Sequence, residues 1–405
     1  MSGYGLIGEK LSHSFSPQIH AMLGSYDYRL IELSAQELPD FMRAGALQGF
    51  NVTIPYKQAV IPYLSGLSDA ARRIGSVNTV LRQPDGRLYG DNTDYYGFEK
   101  LLGDAAQLKG KKALVLGSGG ASKTVQAVLV DAGLAPVITV SRSGADNYAN
   151  LDRHRDAALI VNATPLGMYP DVEASPLDLA GFDRLALVLD LIYNPSRTCL
   201  LLAAQARGIT CRNGLLMLAA QAQKASELFG RRQPGLDISQ DIVAGLERLT
   251  LNIALIGMPG CGKTSVGKAL ARLTGRPFYD TDEMIRLETG LNPADIIAEQ
   301  GEAAFRAVET RALAHACRQS GAIIATGGGV VTRGENLDLL RANSRIVLLE
   351  RPLDQLPTHG RPLSQAQGLE ALWEKRQPLY LLWSDRRYDH RGIQSTARAI
   401  RRDLL

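Results

Sequence analysis

The chain is 405 residues long, 45% apolar and 21% charged, with a formal charge of +4. That length exceeds what one hydrophobic core usually supports, so two domain-sized units or three smaller ones are expected. So small a charge on an ordinary globular composition gives no case for a nucleic-acid partner. Cys199, Cys211, Cys261 and Cys317 show neither metal-ligand spacing nor a disulfide framework, which fits a reducing compartment. No signal peptide is read, and the apolar runs are too short or too interrupted to span a bilayer. A cytoplasmic protein without a membrane partner is expected, of unknown oligomeric state.

In residues 1–110, short apolar runs (YGLIG, YRLIEL, GFNVTI) alternate with helix-like stretches such as 16–24. The alternation predicts an α/β layer structure. After the first run come Ser14 and Ser16. Ser16 before Pro17 reads either as a helix cap or, with Ser14, as a pair of hydroxyls at a strand end where α/β ligands bind. Next is Asn51-Val52-Thr53-Ile54-Pro55-Tyr56-Lys57, where Pro55 predicts the end of a strand and places Lys57 beyond it. Ser76-Val77-Asn78-Thr79-Val80 and Asn92-Thr93-Asp94-Tyr95-Tyr96-Gly97 follow, with Asn and Asp that also suit turns.

SxS, NVTxPxK, SVNTV and NTDxxG in this order resemble shikimate dehydrogenase, and the resemblance covers about the first 245 residues. It implies that Ser14 and Ser16 bind the substrate carboxylate, that Thr53 lines the cleft, and that Asn78 and Asp94 hold ring hydroxyls. It also implies that Lys57 and Asp94 form the catalytic pair. The chemistry agrees: ketone reduction needs a proton on oxygen, an ammonium can donate it, and a neighbouring carboxylate orients that ammonium.

Residues 111–122, KKALVLGSGGAS, form a strand-like run before Gly117-x-Gly119-Gly120-Ala121, an approximate dinucleotide fingerprint. A helix-like stretch and the run PVITV follow, ending in Ser141-Arg142-Ser143. An NAD site has an acid there for the ribose 2′-hydroxyl, whereas Arg142 suits a 2′-phosphate and so NADP(H). The family usually carries Asn-Arg-Thr with a further basic residue, and this chain has Ser-Arg-Ser-Gly-Ala-Asp instead, which leaves the strictness of the preference open. The resemblance implies that Asn162 and Met168 border the nicotinamide, with Tyr193 beside the ring and Gln221 reaching back to the substrate. Each also has an ordinary turn, core or surface reading. Residues 238–249 read as the last helix of this half.

A second half opens at 251–264, LNIALIGMPGCGKT. The pattern Gly257-x-x-x-x-Gly262-Lys263-Thr264 after an apolar run is a phosphate loop: glycines turn N–H groups onto a phosphate, Lys263 adds charge, and Thr264 offers a hydroxyl to Mg²⁺. Gly260, Cys261 and Ser265 complete the cradle, and Cys261 reads as a small filler or as a redox-sensitive thiol. Asp280 and Asp282 look like acids at a strand end, two apart and on one face, or else helix caps. Arg306 and Glu309, three apart, have a plain reading as a surface ion pair. Gly327, Gly328 and Gly329 follow the run AIIA, where a ligand could approach backbone closely.

Phosphate loop, DxD, GEaxFRxxE, GGG, RPL and RxPLY in this order resemble shikimate kinase over about 150 residues. The resemblance implies ATP on the loop, Mg²⁺ at Thr264 and Asp280, and Asp282 on the acceptor hydroxyl. Arg306 and Arg376 then clamp the substrate carboxylate beside Gly327, Gly328 and Gly329, and Arg361 comes from a lid. The stretch before Arg361 is short and lacks the arginine that commonly precedes RPL, so the adenine side departs from the family.

The expected architecture is α/β throughout. Residues 1–249 make a dehydrogenase-like half, with 1–97 and 213–249 as substrate subdomain and 98–212 as a Rossmann NADP subdomain. Residues 250–405 make a phosphate-loop α/β/α kinase domain with a parallel sheet. The expected function is a bifunctional enzyme that reduces 3-dehydroshikimate with NADPH and phosphorylates shikimate with MgATP. An NAD-dependent quinate or shikimate dehydrogenase with a weakened kinase, and a non-catalytic metabolite sensor, are the alternatives.

Overall fold

The structure, a computed structural model, describes residues 3–11, 14–45, 47–357 and 368–405. The chain divides into two compact units. Met1–Gly167, Ala174–Tyr193 and Ala203–Leu246 form the first; Met168–Glu173, Asn194–Leu202 and Glu247–Leu405 form the second. Among the described residues no helix is long and apolar enough to cross a membrane.

The first unit holds two sheets. One is built from β1 (Tyr4–Gly8), β2 (Tyr28–Glu32), β3 (Gly49–Val52), β4 (Gly66–Leu67), β5 (Thr79–Arg82) and β6 (Leu88–Asp91), in the order β2-β1-β3-β5-β6-β4. β1 pairs parallel with β2 and β3, while β5 is antiparallel to both β3 and β6. Central strands are covered on both faces, which is why YGLIG and GFNV are buried along their whole length. β3 stops at Val52, before Pro55, and the turns beyond it carry Lys57.

The second sheet of this unit comprises β7 (Ala113–Leu116), β8 (Val137–Val140), β9 (Leu159–Asn162), β10 (Leu187–Asp190) and β11 (Thr210–Arg212). All neighbours are parallel, in the order β11-β10-β9-β7-β8. Its glycine turn leaves β7, where the chain direction across the sheet reverses, the usual place for a ligand in such a sheet.

The second unit carries β12 (Asn252–Ile256), β13 (Phe278–Asp280), β14 (Ile323–Ala325), β15 (Ser344–Glu350) and β16 (Arg386–Asp389), all parallel in the order β13-β14-β12-β15-β16. β12 is central and wholly buried, and the phosphate loop leaves its C-terminal end.

Two local expectations are corrected. Ser16 does not cap its helix: Ser16–Leu23 begins after Phe15 with no side-chain cap, so Ser16 occupies the first turn and its hydroxyl is spent elsewhere. Asp280 and Asp282 do not share a strand face, because β13 ends at Asp280 and Asp282 lies in the first turn of the helix Thr281–Thr289. They still converge, since Asp280 is the helix cap and its Oδ1 accepts from the Asp282 N–H at 3.0 Å.

Candidate active sites

In the first unit, the turns after β3 bring Lys57 to the first turn of the helix Thr93–Leu102. There its Nζ donates to Asp94 Oδ2 at 2.6 Å. The helix starts at this point because the Asn92 side chain accepts from the Tyr95 N–H and its amide donates to the Ser76 carbonyl. Both members of the pair are mostly shielded, at 26% and 13% exposure.

Around that pair runs a chain of polar groups. Asn78 is buried, and its Oδ1 accepts from the Thr93 N–H (2.7 Å) and from the Thr79 hydroxyl (3.1 Å). Its orientation is therefore set, and its amide makes no hydrogen bond among the described residues. Thr93 reaches Gln221 Oε1 at 3.4 Å across the helix Leu215–Leu228. The two helices approach closely because Gly97 has no side chain: a Cβ there would lie 2.6 Å from the Met217 carbonyl oxygen. On the other side, Asn51 donates to the Asn78 carbonyl and the Thr79 hydroxyl, and accepts from Tyr28. Apart from this chain, the Ser16 Oγ accepts from Ser14 at 3.1 Å. The geometry thus links Asn78 to Gln221 through Thr93 and to Tyr28 through Asn51, while Ser14 and Ser16 form a pair of their own; Tyr28, Asn51 and Thr93 did not stand out as functional residues in the sequence. The signal available was an Asn inside the apolar run GFNV. Thr53 follows β3 and packs its methyl against Gly8, where a Cβ would lie 2.6 Å away. Tyr193 leans on Phe15 (ring centroids 5.8 Å apart), and burial raises its hydroxyl pKa.

At the end of β7, Gly117 takes φ +102°, a left-handed conformation that suits glycine, and a Cβ would press on Thr164 and Ala163. Gly119 and Gly120 differ: a Cβ on either would meet nothing within 4 Å. Packing therefore does not demand these two glycines, and together with Ala121 they open the helix Gly120–Asp131 with no side-chain cap. A bare helix N-terminus with space in front of it fits a dinucleotide pyrophosphate. Arg142 lies exposed just past β8. The Asn162 side chain, in contrast, is fully committed to Thr164, Leu166 and Asp190, so it shapes its turn and leaves no side-chain group for a ligand. Met168 is 46% exposed.

In the second unit a cavity of about 760 Å³ collects the phosphate loop, Asp282, Arg306, Gly327, Gly328, Gly329 and Arg376. Gly257, Gly260 and Gly262 all have left-handed φ, and no side chain caps the helix Lys263–Thr274. The Lys263 ammonium donates to the carbonyls of Gly257 (2.8 Å) and Met258 (2.9 Å). Cys261 is 1% exposed and packs into the core, which is the filler reading. Thr264 donates to Asp280 Oδ2 at 2.6 Å, and Ser265 is exposed beside it. A hydroxyl and a carboxylate fit Mg²⁺, which takes one or two protein oxygens and completes its shell with water and phosphate.

Asp282 opens onto the cavity. Loss of hydration there, with the negative charges of Asp280 and Glu309, pushes its carboxyl up to about 6. Arg306 is held by Glu309 (2.7 Å) and Glu302 (2.9 and 3.3 Å), which leaves two of its five N–H groups. Arg376 is 4% exposed, donates one Nη to the Gly328 carbonyl, and keeps a buried Nε without a partner among the described residues. Each glycine of the trio is required by its neighbours: a Cβ on Gly327, Gly328 or Gly329 would run into Glu309, Pro259 or Arg306, respectively. Glu302, Glu309 and His390 were not singled out as site groups in the sequence, yet Glu302 and Glu309 hold Arg306, and Glu309 and His390 line the cavity. Arg361 lies outside the described residues.

A dinucleotide-type sheet beside a Lys–Asp pair, followed by a phosphate loop beside an acid and two arginines, defines an NADP-dependent oxidoreductase joined to an ATP phosphotransferase. A family model for the shikimate dehydrogenase substrate binding domain matches residues 6–80, and one for shikimate kinase matches 259–403. Over 61% of this chain and 98% of its own length, shikimate dehydrogenase (NADP(+)) of Clostridium beijerinckii is 38% identical. A solved chorismate mutase/shikimate 5-dehydrogenase fusion protein from Clostridium acetobutylicum is 36% identical with a TM-score of 0.57, over 61% of this chain and 97% of that one. The shikimate 5-dehydrogenase of Thermus thermophilus, solved with NADP(H) and shikimate, is 35% identical with a TM-score of 0.54, over 61% and 99%. The chain belongs to the shikimate dehydrogenase family, and its second half carries a shikimate kinase domain.

Proposed function

We propose that residues 1–249 reduce 3-dehydroshikimate to shikimate with NADPH and that residues 250–405 phosphorylate the 3-hydroxyl of that product with MgATP. The observation that carries this reading is the pairing of two chemistries in one chain: the shielded Lys57–Asp94 pair, and a cavity that faces a phosphate loop with Asp282, Arg306 and Arg376.

In the first site, NADPH supplies the hydride when bound. Lys57 Nζ donates the proton to the substrate oxygen, and Asp94 holds that ammonium in place. Ser14 and Ser16 bind the carboxylate, Asn78 presents its amide to a ring hydroxyl, and Gln221 closes the far side. Arg142 takes the 2′-phosphate.

In the second site, MgATP supplies the phosphoryl group. Lys263 and the loop N–H groups hold its phosphates, while Thr264 and Asp280 hold the metal. Asp282 accepts the proton of the attacking hydroxyl, a role its place on the cavity beside the phosphate loop allows. Arg306 and Arg376 fix the acid's carboxylate through planar forks. We place the protein in the cytoplasm, whose reducing chemistry suits four cysteines outside any disulfide.

The test uses purified full-length chain supplied with 3-dehydroshikimate, NADPH and MgATP, which should yield shikimate 3-phosphate. Shikimate that accumulates and is never phosphorylated would sink the second half of the claim. Faster turnover of quinate with NAD than of shikimate with NADP would replace the first.

A further inference from the structure

β8 ends beside the glycine turn, where the Gly117 N–H donates to the Val140 carbonyl at 2.8 Å. The chain then closes a loop on itself. The Ser141 N–H donates to the Asp146 carbonyl (3.1 Å), the Asn147 amide to the Gly144 carbonyl (3.2 Å), and the Asn150 amide to the Ala145 carbonyl (2.9 Å). Arg142 stands on this loop, exposed and without an ion-pair partner among the described residues.

The loop also carries an acid, Asp146. In an NAD site a free carboxylate at the end of this strand accepts the ribose 2′-hydroxyl, and the Ser141–Asp146 backbone bond brings Asp146 back beside that end. Here Asp146 Oδ1 is held twice: it accepts from His154 Nε2 at 2.8 Å and from Arg153 Nη2 at 2.8 Å. His154 is only 8% exposed, so its ring is fixed by packing as well as by this bond.

We propose that His154 and Arg153 act as a clamp that keeps the Asp146 carboxylate off the cofactor's 2′-position, leaving Arg142 to meet the 2′-phosphate unopposed. The clamp sets the preference for NADP(H) over NAD(H) in a loop that lacks the further basic residue expected after Arg142. His154 and Arg153 are positioning residues, because they act through Asp146. This inference rests on the dehydrogenase reading of the first unit.

The experiment removes the clamp in the full chain with the double substitution His154→Ala and Arg153→Ala. Dissociation constants for NADPH and NADH are then read directly from nucleotide fluorescence, and KM and kcat are measured with each. The expected result is a fall of about tenfold or more in the preference for NADPH, carried by binding and KM with kcat on NADH retained. Adding Asp146→Ala to the double variant should restore the preference, because the freed carboxylate is then gone. An unchanged preference, no restoration by Asp146→Ala, or equal weakening of both cofactors each overturns the proposal. Wild-type chain that prefers NADPH in binding but never reduces 3-dehydroshikimate would remove the dehydrogenase reading and leave the clamp testable by binding alone.

Discussion

Arg306 and Glu309, one turn apart on the helix Glu302–Cys317, form a 2.7 Å ion pair whose side chains are 8% and 1% exposed. Spacing alone allowed a solvated pair; the structure makes it part of the cavity wall. Breaking a buried pair from one side strands a charge and costs about 3–5 kcal/mol. Glu302 still holds Arg306, so Glu309→Ala is expected at the low end, about 3 kcal/mol. Urea unfolding checks this, and a loss under about 1 kcal/mol would mean the pair behaves as a surface one.

Gly329→Ala should damage the kinase through contact alone. The φ of Gly329 is −101°, which any residue adopts, but a Cβ would overlap the Arg306 guanidinium. The expected outcome is a rise of about tenfold or more in KM for shikimate, with ATP affinity little changed. Substrate titration at saturating MgATP measures it; equal effects on both substrates would contradict the contact argument.

Lys57→Ala should lower dehydrogenase turnover by about 10²–10⁴-fold, the usual share of general acid catalysis. Phosphorylation of added shikimate by the same preparation should stay near wild type. If both activities fell together while the protein remained folded, the two sites would not be independent.

The legible part of each site was the part built from near neighbours in the chain. The phosphate loop is one strand, one turn and one helix start, so its motif and its geometry coincide. Lys57 and Asp94 were readable as residue types, but their contact spans 37 positions and no periodicity reports it. The Thr93–Gln221 bond spans 128. Asn51 was visible as the Asn of the run NVTxPxK, but its role stayed hidden because its partners, Tyr28 and Thr79, lie 23 and 28 positions away. For Asp282 the two-residue spacing from Asp280 misleads, because it implies strand geometry where a helix has already begun.

His20 makes the first unit sensitive to acid. Its ring is 1% exposed, stacks on Tyr28 at 3.7 Å, and burial pushes its pKa down to about 3. Between that value and the ordinary value of about 6.5, the unfolded chain binds a proton that the folded chain does not. Stability therefore falls as pH drops through this window, by on the order of 2 kcal/mol at pH 5. His20→Phe, whatever its starting stability, should show a shallower decline between pH 7 and 4.5 in thermal or urea melts. An identical slope would reject the assignment.

The close crossing at Gly97 also bears on how the protein is made. A ribosome releases Lys57 and Asp94 early, but Gln221 emerges only after the whole of the β7–β11 sheet has been synthesised. Until the helix Leu215–Leu228 arrives and seats against Gly97, Thr93 lacks the contact that Gln221 gives it. On the proposed reading, the substrate site is begun first and completed last. On that reading, a nascent chain stalled before residue 215 lacks Gln221 and with it a complete place for the substrate.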